Sequence, residues 1–122
     1  MTLGEHYKSL ASKSKSKHVD LTSKNITDLN IRDLIVAIRQ TPVKSLDLSG
    51  NVITDEGFKS MCKVLCDTGI EKINLSKNKI GEKHLDQAIQ ILRQTKNALR
   101  HINLSDNLLG SKITKNRVKS SL

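Results

Sequence analysis

Between Val43 and Leu65 the apolar positions change period. Leu46 and Leu48 alternate with polar residues, Asn51 and Ile53 follow, and Phe58, Met61, Cys62 and Leu65 then recur at helical spacing. A period of two giving way to one near 3.6 predicts a short strand and then an amphipathic helix. Asn51 and Gly57 are read as the punctuation of the turn between them.

The same classes return 27 residues to either side, and again 29 residues beyond the third copy. Upstream, Val19, Leu21 and Ile26 precede Ile31, Leu34, Ile35 and Ile38. Downstream, Ile70, Ile73, Leu75, Asn78 and Ile80 precede Leu85, Ala88, Ile89 and Leu92. Leu99, Ile102, Leu104, Asn107 and Leu109 open a fourth unit. Repetition at this period is the signature of a solenoid, in which each unit buries a thin apolar layer against its neighbours.

The pattern L-x-x-L-x-L-x-x-N-x-I/L followed by a helix resembles a leucine-rich repeat, and the period resembles the ribonuclease-inhibitor-like subclass. The resemblance implies an α/β solenoid, a short curved horseshoe of about 3.5 strand–turn–helix repeats. Its parallel sheet would line the concave face and its helices the convex one. The units are expected at 18–42, 43–69, 70–98 and 99–111. Residues 1–17 and 112–122 are expected as basic tails, the latter doubling as an incomplete repeat. Thr2 and Glu5 have capping-box spacing, and Leu3, Tyr7 and Leu10 share one face, so a short capping helix is expected over 3–10.

The resemblance assigns a structural ladder to Asn51, Asn78 and Asn107, each bonding backbone groups of its own turn and the next. The first unit has Lys24 there, with Asn25 offered as a substitute in a shifted turn.

In register, the outward strand residues form three columns, the surface such solenoids present to a partner. One is His18, Ser45, Lys72 and His101; the next is Asp20, Asp47, Asn74 and Asn103; the third is Thr22, Ser49, Ser76 and Ser105. In the fourth unit the helical apolar face fades over Ile113, Thr114, Arg117 and Val118. Leu104, Leu108 and Leu109 are therefore expected to border an open, docking-competent edge.

Composition sharpens the picture. Two aromatic residues, Tyr7 and Phe58, suit stacked aliphatic layers better than a conventional globule. The net charge of +9 is concentrated at the ends. Residues 1–17 hold four lysines against one glutamate, and residues 112–122 hold four cations and no acid. No apolar run is long enough for a membrane span, and the first residues lack the apolar centre of a secretory signal. Cys62 and Cys66, placed four apart on one helix, would hold their Cβ atoms about 5–6 Å apart. That is too wide for the roughly 3.5–4.5 Å of a disulfide. Reduced thiols point to a cytosolic, hence cytoplasmic, or nuclear compartment.

Catalytic chemistry finds no support. His18 and His101 lie three strands apart, about 14 Å at ordinary strand spacing, whereas metal–nitrogen bonds are near 2 Å. His6 and His84 read as surface residues and Cys62 as a core residue. No glycine-rich phosphate loop occurs, and no metal or cofactor is expected. The chain thus reads as a non-enzyme, a protein-interaction module or structural subunit of a larger assembly, with a protein partner. Short subunits resembling it occur in ciliary and flagellar assemblies. A second reading is a polyanion binder, whose tails grip nucleic acid or an acidic protein or cytoskeletal surface. A third is a GTPase-activating-type regulator, since Ran GTPase-activating proteins resemble it in repeat form.

Overall fold

The computed structural model describes residues 17–39 and 41–109. The elements run β1 (His18–Asp20), α1 (Asp28–Ile38), β2 (Ser45–Asp47), α2 (Asp55–Val64), β3 (Lys72–Asn74), α3 (Leu85–Gln94) and β4 (His101–Asn103). The expected helix over 3–10 and the tail over 112–122 lie outside the described residues.

All strands are parallel and lie in chain order, β1-β2-β3-β4. His18 pairs with Ser45, Ser45 with Lys72 and Lys72 with His101, so the repeat register of the sequence is the register of the sheet. Because side chains alternate across a strand, Val19, Leu46 and Ile73 turn inward and are buried. They meet the inward helix faces: Ile31, Leu34, Ile35 and Ile38 of α1, Phe58, Met61 and Cys62 of α2, and Leu85, Ala88, Ile89 and Leu92 of α3. Burying a Leu, Ile or Phe contributes about 1.5–3 kcal/mol, and one layer per unit is enough to join neighbours.

Each strand ends in the same tight turn. A left-handed residue recurs at Ser23, Gly50, Lys77 and Asp106. Only Gly50 takes that conformation without a Cβ penalty.

The asparagines then close the solenoid. Asn51 Oδ1 accepts from the Lys24 and Ile26 N–H groups, each at 2.9 Å. Its Nδ2 donates to the Leu21 and Leu48 carbonyls at 3.0 and 2.8 Å. Asn78 does the same between Ile53 N, Leu48 O and Leu75 O, and Asn107 between Ile80 N, Leu75 O and Leu104 O. Each asparagine thus serves its own turn and the preceding one, not the next as expected. A lysine is tolerated at position 24 because Asn51 supplies the first turn's bonds. Asn25 does not replace it; it adopts a left-handed conformation and is exposed.

A second ladder runs along the helix starts. The Asp28 carboxylate accepts from the Thr54 N–H at 2.8 Å and from the Thr54 hydroxyl, so the first residue of α1 caps α2. Asp55, the first residue of α2, accepts from the N–H of His84, which precedes α3, at 3.1 Å. Gly57 belongs to this ladder. It is not turn punctuation: it is buried in the first turn of α2, and a Cβ there would lie 2.0 Å from Asp28 Oδ1.

Helix α2 ends at Val64 and passes into a 3-10 turn over Leu65–Asp67. Cys66 therefore does not share an α-helix with Cys62. Both thiols are free, Cys62 buried and Cys66 exposed.

Candidate functional site

The outward strand residues gather on one face of the sheet. His18, Ser45, Lys72 and His101 form the first column; His18 Nδ1 lies 2.8 Å from Ser45 Oγ. His18, Lys72 and His101 are exposed and Ser45 half-buried.

The second column has a task that spacing did not suggest. Asp20, Asp47, Asn74 and Asn103 each accept, through Oδ1, the N–H two residues ahead, at 2.9–3.0 Å. These are Asx turns, and they fix the strand ends. The Thr22 hydroxyl and N–H both donate to Asp20, holding its carboxyl below the usual carboxylate range. A carboxylate at the strand end with a hydroxyl or N–H donor two residues on is the signal that reveals this role.

The third column contributes less surface than its position implies. Ser76 is buried at 8% exposure, the Thr22 hydroxyl donates to Asp20 and that of Ser105 to Asn103. Thr22, Ser49 and Ser105 are half-buried.

A shallow groove of about 530 Å³ remains on the sheet. It is lined by His18, Ser45, Asp47, Lys72, Asn74, His101 and Asn103, together with Leu46, Ile73 and Ile102 beneath them. Asp20 and the third column lie outside its lining. Charge is ordered along it. The β1–β2 side carries Asp47, the β3–β4 side Lys72 and two amides, and Lys44 and Glu71 pair at 4.0 Å just before β2 and β3.

The edge leucines separate. Leu104 is buried at 3% exposure and Leu109 packs against the core, whereas Leu108 is 67% exposed. Leu108 alone of the three is exposed, with Leu109 partly buried.

His84 corrects the reading of surface histidines. Its ring is mostly buried, with Nε2 3.6 Å from Glu56 and 3.8 Å from Asp55, and Nδ1 buried without a hydrogen-bond partner among the described residues. Burial pushes the Cys62 thiol pKa up, which disfavours the thiolate a nucleophile needs. Among the described residues no three His, Cys, Asp or Glu side chains converge as metal ligands, and no helix is long and apolar enough to cross a membrane.

Four in-register parallel strands, backed by helices and tied by an asparagine ladder, define a leucine-rich-repeat solenoid. A family model described as Leucine Rich repeat matches residues 39–62. Among solved structures, the chain is similar to one titled Leiomodin-1 Actin-Binding Site 2, with a TM-score of 0.67 and 19% identity over 98% of this chain and 69% of that one. It is also similar to the tropomodulin C-terminal domain of Caenorhabditis elegans, with a TM-score of 0.63 and 14% identity over 98% of this chain and 73% of that one. No curated protein matches the chain.

Proposed function

We propose that this chain is a non-catalytic protein-interaction module whose concave groove holds a protein partner. The observation that carries the reading is the groove's composition. It presents Asp47, Lys72 and two amides on a sheet face, and the groove itself is open rather than an enclosed pocket of the kind an acid–base pair or nucleophile needs. Rigid presentation lowers the ordering cost of binding, and ordered charge favours one partner orientation. The period of 27 to 29 residues with a full helix favours the ribonuclease-inhibitor-like subclass.

The leiomodin-1 structure is titled as an actin-binding site, so actin is the first partner to test. The chain's net charge of +9 would favour an acidic protein surface over a basic one.

The test is recovery of partners from native extract by the full chain, washed at low and high salt with nuclease present, alongside a Lys72→Glu, His101→Glu variant. Both side chains are exposed, so the fold is expected to persist. Partners that survive high salt and disappear with the variant support the groove. Partners lost to salt or nuclease, yet kept by the variant, assign binding to the basic tails and reject it.

A further inference from the structure

The helices turn one face to the sheet and the other away from it, and on α1 the outer face is unlike the rest. The buried side of α1 carries Ile31, Leu34, Ile35 and Ile38. At 100° per residue, Leu29 and Val36 fall on the opposite side, where they are 87% and 46% exposed. Seven positions apart, they stand about 10 Å from each other along the helix axis. The corresponding positions of the next two units are polar, Glu56 and Lys63 in the second, Lys83 and Gln90 in the third. Exposed apolar side chains are thus a property of the first unit and not of the repeat. Arg32 and Asp33, midway between the two, are exposed and have no ion-pair partner among the described residues.

A surface that meets its own copy across a two-fold axis pairs residue i with j and j with i. With the axis at right angles to α1 and level with the midpoint of Arg32 and Asp33, two copies of α1 run antiparallel, face to face. Leu29 of each copy then meets Val36 of the other, and Arg32 meets Asp33. The two apolar residues fix the axis, and the charge match follows without further adjustment. Helix α2 lies beside α1, joined to it by the bond from Thr54 N–H to Asp28, and is offset by one repeat of 27 residues. The same axis therefore sets Glu56 of each copy against Lys63 of the other, again opposite charges. Both are exposed, and Glu56 also lies 3.6 Å from His84.

We propose that a second copy of this chain docks on the outer helical face, α1 antiparallel to α1, joined by reciprocal Leu29–Val36, Arg32–Asp33 and Glu56–Lys63 contacts. The self-complementary order of apolar and charged positions is what selects a second copy over another partner. The contact is small and belongs with weak, reversible associations, so tracer amounts in an extract remain monomeric. The groove lies on the far side of each copy and stays open in the dimer.

Sedimentation velocity of the full chain from about 10 μM to about 1 mM tests this without any other partner, so its outcome is independent of the groove. Salt at about 0.15 M screens the repulsion between two chains of charge +9. A reversible monomer–dimer equilibrium is expected, half-dissociated at about 0.1 mM or above. Leu29→Lys should weaken the dimer about tenfold, by removing an apolar contact that the axis repeats. Arg32→Asp should weaken it about as much, since each lost ion pair is also counted twice, and Asp33→Arg added to that variant should restore it. A chain that stays monomeric at every concentration overturns the proposal. So does a dimer indifferent to Leu29→Lys, or a charge reversal without recovery. A monomer whose unfolding midpoint falls with Leu29→Lys would place that side chain against its own chain and overturn it equally.

Discussion

At the scale of single residues, the molecule depends on side chains that complete backbone bonding. Asn78 is 6% exposed and supplies both a donor and an acceptor to two turns. Asn78→Ala leaves the Ile53 N–H without its acceptor, an unsatisfied buried group costing about 1–3 kcal/mol, while the Leu48 and Leu75 carbonyls keep their bonds from Asn51 and Asn107. Urea unfolding should show a loss of about 1–3 kcal/mol for that reason. Gly57→Ala should destabilise by about 1–3 kcal/mol, because the new Cβ displaces the Asp28 carboxylate from Thr54. In the Asp28→Ala background most of that cost should disappear, and a double-mutant cycle reads the difference. Asp20 carries a pH prediction. Its carboxyl is held low in the folded chain by Thr22, so the associated stability is present above the unfolded-state pKa and is lost as pH falls through the folded value. NMR titration should find the Asp20 midpoint below the ordinary carboxylate value, and Thr22→Ala should raise it.

At the scale of elements, periodicity carried most of the information. The switch from alternation to helical spacing located all four strands and the inward faces of α1, α2 and α3. What it could not reveal was the direction of side-chain bonding. The asparagines reach back one unit, Asp28 and Asp55 reach forward one, and the second column turns one oxygen onto its own loop. Spacing reports which face a residue occupies, not which neighbour has an unpaired N–H beside it. The same limit explains Gly57 and His84. Glycine inside a helix and histidine before one gave no sign that a carboxylate from the adjacent unit approaches each of them. Asp55 joins α2 to the start of α3 through His84 N–H. Asp55→Ala should therefore fray the first turn of α3, and amide exchange should quicken there while the β2 amides keep their protection.

For the whole molecule, the solenoid provides a rigid sheet whose outward side chains are set by a fixed register. Of the twelve residues expected on the concave face, seven line the groove, and Asp20 and the third column lie beside it. The candidate face was legible in the repeat register, whereas which of its side chains also bond the turns required the hydrogen bonds. Photocrosslinking in native extract tests the central claim directly, with a benzophenone side chain at position 72 on the groove in one sample and at position 63 on the exposed side of α2 in another. The groove account predicts a discrete protein adduct from position 72 and none from position 63. Adducts from position 63 with none from position 72 would move the partner to the helical face and contradict it.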